Sequence, residues 1–420
     1  MHKLREIDMA KKPNMHFTFI YHVAVCLAGF LALMNRNKTH KDPALKGLKG
    51  PFIILSNHCS FLDFAAQMHA FPLKRINWVT SIDEMVTTPE PVMRGLGTYP
   101  KRKFVPDVLN VKQMLYIIKK GGILSIFPEV RFSLAGINER ADKALGKLIK
   151  KCNVPVVLEI NHGHWLQSPQ FAKHPYRFPK TEVDVKLLVS KEELETLTAE
   201  EIQQRLEDNF HYNDYEYQQE KKVKVTSRNR MKNIHKVLYK CPNCGTEYEM
   251  VGKGTHIECK HCGAHYEQDV YGTLKCTNGE TKFTNVPDWY KWEREEVTKE
   301  VRSGNYHFED DVNMKKIYRG GYHMLGKMRF VHDYEGMHVK GTTLDGEPFE
   351  FNRPIDQSPS VHIEYFLKDK WNKEKGSAVD FANTKVSYFG WLQTQKEALT
   401  KIHFATEALY DIYLESLNKN

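Results

Sequence analysis

Phe52-Ile53-Ile54-Leu55-Ser56-Asn57-His58-Cys59-Ser60-Phe61-Leu62-Asp63 is the stretch on which the fold turns. Four apolar residues in a row, too few for a helix, read as a buried strand, and polar residues follow at once. Such a strand delivers His58 and Asp63 to the mouth of a sheet. A neutral imidazole there can take a proton from a hydroxyl, and a neighbouring carboxylate can fix its tautomer and stabilise the imidazolium. No serine or cysteine nucleophile is needed if the substrate itself brings the hydroxyl. Taken alone, the pair is also what an ordinary surface provides.

The surrounding pattern extends this reading. Further strand-like runs fall at 76–81, 123–127, 154–160 and 183–189, with helical stretches such as 108–119 and 142–152 between them. The alternation predicts an α/β domain with a central, mostly parallel sheet. Ligands of such sheets collect outside the carboxyl ends of strands, where His58 and Glu129 both fall. Gly97-Thr98-Tyr99-Pro100-Lys101-Arg102 places two cations after a turn-forming glycine.

In order, these blocks resemble those of the glycerolipid acyltransferases, specifically the lysophosphatidate (1-acylglycerol-3-phosphate) acyltransferase family. His58, Ser60 and Asp63 match its Asn-His-x-Ser-x-x-Asp block. Phe127, Pro128, Glu129 and Ser133 match its Phe-Pro-Glu-Gly-Thr-Arg-Ser block. There Val130 replaces the glycine, Arg131 takes the threonine slot and Phe132 the arginine slot, so the cation comes one position early. The resemblance spans residues 40–190, roughly. It implies transfer of a fatty acyl group from acyl-CoA or acyl-carrier protein to a lysoglycerophospholipid hydroxyl, foremost that of 1-acylglycerol-3-phosphate. It implies His58 as general base, Asp63 as its orienting partner, and Ser60 and Glu129 within the substrate-binding blocks. Lys101, Arg102 and Arg131 are the candidate phosphate-binding cations, since lysine and arginine both hold phosphate oxygens. Glu129, an acid, is expected to orient an arginine or a backbone turn.

A chain of 420 residues with 41% hydrophobic and 27% charged residues can bury cores in two or three domains. A net charge of +9 suits anionic membranes, phosphorylated substrates or nucleic acid, and does not choose among them. The apolar run 15–34 is about long enough to span a bilayer, but His16, Thr18 and His22 interrupt it. Basic residues lie on both flanks: Lys3, Arg5, Lys11 and Lys12 before it, and Arg36, Lys38, Lys41, Lys46 and Lys49 after it. A spanning helix concentrates cations on one side. The expectation is therefore an interfacial segment within 1–50, holding a monotopic or peripheral enzyme on the cytoplasmic face of a membrane. A secretory signal is the competing reading, against which stands the lack of a clear small-residue cleavage site, and a buried core helix is a third.

Beyond the core at 51–190, residues 191–237 read as a helical arm, with capping boxes at Ser190/Glu193 and Thr198/Glu201. Residues 238–276 carry Cys241-x-x-Cys244-Gly245 and Cys259-x-x-Cys262-Gly263. Four thiolates at this spacing predict one structural Zn²⁺ in a zinc ribbon, turned at Gly252-Lys253-Gly254. His256, His261 and His265 are surplus to it, and Cys59 is read as packing. His162-Gly163-His164 is read as a plain loop. Residues 280–420 show β-type runs at 334–338, 349–351, 361–366, 378–381 and 385–391, a hairpin turn at Asp345-Gly346 and a closing helix at 396–417. They resemble a pleckstrin-homology-like module, with an unclassified β-sandwich as the other reading. A ribbon plus positive charge also fits a nucleic-acid-binding protein or a scaffold with an inactive core. That alternative leaves the acyltransferase blocks unexplained and offers no base-reading helix or aromatic RNA signature, so no nucleic-acid partner is expected.

Overall fold

The computed structural model describes residues 4–172 and 177–417. Lys3, counted in the basic flank, lies outside them. The N-terminal half is built on seven strands: β1 Lys38–Lys41, β2 Phe52–Ser56, β3 Ile76–Ser81, β4 Thr98–Lys101, β5 Ile123–Ile126, β6 Val156–His162 and β7 Glu182–Val189. Their order is β1-β7-β6-β2-β5-β3-β4, and every neighbouring pair is parallel except β6–β7. β2 sits at the centre with all five residues buried, which is why it reads as an unbroken apolar run rather than an alternating one. The carboxyl ends of β5, β2 and β6 lie side by side, so Phe127–Glu129, Asn57–His58 and His162–His164 converge although far apart in sequence.

Of residues 191–237, expected as an arm, the first part folds back on this domain, while Val225, Met231 and Asn233 donate to the ribbon carbonyls of Val270, Gly254 and Gly252. Both capping boxes form. Helix Ala199–Asn209 buries Ile202 and Leu206 within the main core. Contact with helix Leu145–Cys152 is close enough that a Cβ on Gly146 would meet the Ala199 carbonyl oxygen at 2.1 Å. The apolar positions at i and i+4 are what dock it.

Helix Phe19–Met34 has 16 residues, a rise of about 24 Å at 1.5 Å per residue. Among the described residues no helix is long and apolar enough to cross a membrane. Thr18 caps it: the hydroxyl accepts from the Tyr21 amide at 3.1 Å and donates to the Gly95 carbonyl at 2.8 Å. Tyr21 and Ala28 are buried against the sheet domain, whereas Phe19, Leu27, Phe30 and Leu33 are 83%, 56%, 58% and 75% exposed. The helix is thus anchored on one face and apolar on the free one.

The C-terminal half begins with a four-stranded antiparallel ribbon, β8 Met250–Lys253, β9 His256–Cys259, β10 His265–Gln268 and β11 Leu274–Cys276. The hairpin turns at Gly254-Thr255 rather than at Gly252, which lies within β8 against Met231 and Ile234. Helix Val286–Arg302 follows and carries the ribbon: its Trp289 donates to the Lys240 carbonyl at 3.0 Å and packs its ring at a tilt against that of Tyr266, and Glu293 accepts from the Lys240 amide at 2.8 Å. Seven antiparallel strands come next: β12 Phe308–Tyr318, β13 Gly321–Asp333, β14 Gly336–Thr342, β15 Pro348–Pro354, β16 Ile363–Asp369, β17 Glu374–Ala382 and β18 Ser387–Leu392. Their order is β15-β14-β13-β12-β18-β17-β16, and helix Leu399–Leu417 closes the domain. The Asp345-Gly346 turn joins β14 to β15, with Gly346 at φ +87°. Residues 334–335, expected to open a strand, form the turn between β13 and β14 instead.

Candidate active site

Asp63 opens helix Asp63–Ala70 and is fully buried. One carboxylate oxygen accepts from the Cys59 and Ser60 amides at 2.7 and 2.9 Å and pairs with His58 Nδ1 at 2.9 Å. The other pairs with His164 Nδ1 at 2.8 Å. Burial pushes this carboxyl upward, but the bonds from His164 and His58 outweigh it, and it lies below its ordinary range. Asp63 is therefore ionised and both imidazoles donate from Nδ1. This tautomer leaves His58 Nε2 with a bare lone pair, the form a general base needs. Burial lowers the His58 pKa, against the opposing pull of Asp63, so the ring is neutral at pH 7.

The imidazole is clamped between aromatic faces, 3.9 Å from the Phe127 ring and 4.0 Å from that of Phe132. Phe132 thus shapes the base rather than carrying charge. Beside His58 opens a cavity of about 570 Å³, lined mostly by apolar side chains that include Phe61, Phe64, Trp78, Met93, Val111 and Met114. Lys101, Lys103, Lys147 and Lys151 are the cations along its wall.

Backbone pinning holds the three strand ends in register. Asn57 bonds the Asn161 amide and carbonyl at 2.7 and 2.9 Å, tying β2 to β6. Glu129 accepts from the His58 amide at 3.1 Å, the Glu139 amide at 2.6 Å and the Tyr212 hydroxyl at 2.7 Å, tying β5 to β2. Burial raises the Glu129 pKa to about 8 against those three donors. Its partners are backbone turns and a tyrosine, not an arginine. The Ser60 hydroxyl accepts from the Leu62 amide at 3.2 Å and shapes the turn before the helix. Cys59 is buried, and burial raises its thiol pKa well above the ordinary value.

The expected cations divide. Lys101 lines the cavity, and burial lowers its pKa. Arg102 points away and donates to the Lys385 carbonyl at 2.8 Å. Arg131 is buried in the contact with the C-terminal domain: it donates to Ser360 at 3.2 Å and to the Val361 carbonyl, lies against His403, and covers the Phe104 ring at 5.0 Å. Nearby, Arg294 joins Glu139 at 2.7 Å and also meets Glu407. The arginine one position early has thus gone to the domain interface rather than to the cavity wall.

His164, expected in a plain loop, starts the short helix His164–Gln167 and is the second imidazole on Asp63. Asp214 seats it by accepting from the Gly163 and Trp165 amides, each at 2.8 Å. Gly163 is needed there: φ is +79°, and a Cβ would meet Tyr217 and the Lys180 carbonyl at 2.9 and 3.0 Å. The Gly-His pair directly after a strand was the available signal. Lys147 and Lys151 were also missed; their i, i+4 spacing on helix Leu145–Cys152 puts them on one face.

Val130 sits at φ +59°, the left-handed region that costs a β-branched residue about 1–2 kcal/mol. Val130→Gly is expected to leave urea stability unchanged or raise it by up to about 1 kcal/mol, whereas Val157→Gly in the buried strand costs about 3 kcal/mol or more. Equal losses at the two positions would mean that Val130 is unstrained.

In the ribbon, Sγ of Cys241 and Cys262 are 3.7 Å apart, and those of Cys244 and Cys259 3.8 Å. A ZnS₄ tetrahedron with bonds of about 2.3 Å has edges of about 3.8 Å. The two knuckles repeat one geometry: Gly245 and Gly263 both have φ +76° and donate to the Cys241 and Cys259 carbonyls at 2.9 Å. The four sulfurs therefore lie close enough to hold one tetrahedral metal ion, with spacings that suit zinc.

No family model matches the chain, and no curated protein matches it. Among solved structures, the 1-acyl-sn-glycerophosphate (LPA) acyltransferase PlsC from Thermotoga maritima is similar over 45% of this chain and 85% of that one, at 18% identity and a TM-score of 0.33. A likeness that weak carries no argument about this chain, so the functional reading rests on the site.

Proposed function

We propose that the chain is an O-acyltransferase that moves a fatty acyl group from a thioester, acyl-CoA or acyl-carrier protein, to a lysoglycerophospholipid hydroxyl, with 1-acylglycerol-3-phosphate as the foremost acceptor. The observation that carries this reading is the His58–Asp63 pair, base tautomer set, at the edge of a mostly apolar cavity of about 570 Å³. His58 Nε2 removes the acceptor's hydroxyl proton as that oxygen attacks the thioester carbonyl. The tetrahedral intermediate collapses, the C–S bond breaks, and the thiolate takes the proton from the imidazolium. Asp63 stabilises the imidazolium between the two transfers. The apolar wall takes acyl chain, and Lys101, Lys103, Lys147 and Lys151 are the cations in reach of phosphate groups on either substrate.

The amphiphilic acceptor lives in a bilayer. The exposed face of helix Phe19–Met34 and the half-exposed Phe61 offer an apolar surface on the same domain as the cavity, which supports interfacial, monotopic attachment. The ribbon zinc would be held by Cys241, Cys244, Cys259 and Cys262, where it supplies structural cross-linking and no chemistry. The test is incubation of purified protein with labelled acyl-CoA and a panel of lysolipids, lysophosphatidate included, followed by product identification. Absence of transfer to every lysolipid, from acyl-CoA and acyl-carrier protein alike, overturns the reading.

His164 acts through Asp63. His164→Phe removes one of the bonds that hold the Asp63 carboxylate, which costs about 1.5–3 kcal/mol of stability and loosens the placement of His58, so kcat falls by up to roughly 100-fold. With one donor fewer, the carboxylate stabilises imidazolium better, and the acid limb of the kcat/KM profile moves to higher pH. A lowered rate with an unmoved acid limb would mean that His164 only supports the fold.

A further inference from the structure

Four side chains on the ribbon belong neither to the cysteine knuckles nor to the proposed reaction. In the β9–β10 ladder, His256 faces Glu267 and Glu258 faces His265. Ile257 and Tyr266, the paired residues between them, are fully buried. Strand alternation therefore puts His256, Glu258, His265 and Glu267 together on the opposite, half-exposed face. The two imidazoles stack at 4.5 Å. His265 Nε2 lies 3.1 Å from a Glu267 oxygen, His265 Nδ1 3.8 Å from a Glu258 oxygen, and His256 Nδ1 3.9 Å from Glu267. Thr255 steadies Glu267 by donating to its other oxygen at 3.0 Å, and Lys253 lies 3.8 Å from Glu258.

We propose that this face is a second metal site, separate from the four cysteines, which takes a divalent transition-metal ion on two imidazole nitrogens and one or two carboxylate oxygens. One ligand-capable atom each from His256, Glu258 and His265 already lies within 4.8 Å of the others. Tetrahedral zinc with bonds of about 2.0–2.2 Å needs donor separations of about 3.4 Å, which small side-chain rotations supply on a rigid two-strand frame. Mixed imidazole and carboxylate donors suit Zn²⁺, Ni²⁺ or Cu²⁺ rather than Mg²⁺ or Ca²⁺. Because the face is open to water, the ion exchanges with solvent and retains a water ligand, unlike the closed cysteine site.

The experiment is calorimetric titration of Zn²⁺ into the full-length chain whose cysteine site is already filled, followed by ¹H–¹⁵N spectra of the histidine rings. Uptake of one further equivalent, with ring-nitrogen shifts at His256 and His265, is the expected result. The double variant H256Q/H265Q should lose that equivalent and keep the first, with its melting temperature in the absence of added metal unchanged. Should the double variant misfold, Glu258→Gln should still weaken the second equivalent by at least the roughly 10–100-fold that loss of an outer-shell partner costs. Cross-strand ion pairing alone predicts no further uptake. That result, or a second equivalent that survives in H256Q/H265Q, overturns the proposal.

Discussion

His58→Ala should lower acyl transfer by about 10²–10⁴-fold while leaving the fold intact, because it removes the one group placed to accept the acceptor's proton. The side chain is clamped between Phe127 and Phe132 and is not part of the strand core, so circular dichroism and thermal melting should stay close to wild type. Asp63→Asn should be similarly severe. An amide offers His58 Nδ1 either a competing donor or a weaker acceptor, which favours the wrong tautomer and leaves the imidazolium uncompensated. It also disturbs the Cys59 and Ser60 amides and His164, so its stability loss should exceed that of His58→Ala. The wild-type pH profile carries a further expectation. Burial lowers the His58 pKa from its ordinary 6.5, so the neutral base persists to more acid pH, and the acid limb of kcat/KM should fall below that value. Near-normal turnover by His58→Ala on an acceptor that the wild type acylates would remove His58 from the chemistry.

Removal of the zinc proposed for the four cysteines should produce the largest loss of stability. Structural zinc sites of this type contribute on the order of 10–16 kcal/mol of apparent binding at neutral pH, much of it folding energy. Cys244→Ser should bring the bound zinc of the cysteine site from about one equivalent to near zero. A stability loss of several kcal/mol lowers the melting temperature of the C-terminal half by more than about 10 °C, at roughly 2–4 °C per kcal/mol. The damage should spread beyond the ribbon, because Trp289 and Glu293 bind the Lys240 backbone and helix Val286–Arg302 carries Arg294 to Glu139, beside Glu129. Turnover per folded molecule at low temperature should change far less. Calorimetry and metal analysis check both, and metal-free protein that melts like wild type would show the knuckles to be self-sufficient.

Local signals made the parallel sheet legible. Buried central strands are short apolar runs, and those at 52–55, 76–81, 123–127, 154–160 and 183–189 fall on β2, β3, β5, β6 and β7 within two residues at each end. The four cysteines were equally legible, since metal geometry dictates their spacing. The antiparallel domain was harder. Its two longest strands, β12 and β13, went unread because half-exposed antiparallel strands alternate polar with apolar residues, as in Asp311-Val312-Asn313 and Lys327-Met328-Arg329. Helix Val286–Arg302 also went unread, although its buried Val286, Trp289, Tyr290, Val297 and Val301 recur at helical spacing.

His58 and Glu129 could be placed from the sequence alone because each lies within three residues of a strand whose apolar run announces it, and Asp63 because it follows His58 in the same block. What each one touches depended on strand order. β6 becomes the neighbour of β2 only through a crossover, so nothing local links His164 to Asp63, 101 residues away. The same holds for Arg131. Its residue type and block position point toward phosphate, yet Ser360, Val361 and His403, more than 220 residues downstream, claim its guanidinium. Spacing along the chain determines which residues can share a turn, a knuckle or a strand end. Hydrogen bonds and burial between distant segments form only when the chain closes on itself, so the second imidazole, the place of Lys103, Lys147 and Lys151 on the cavity wall and the diverted arginine were decided by the tertiary structure.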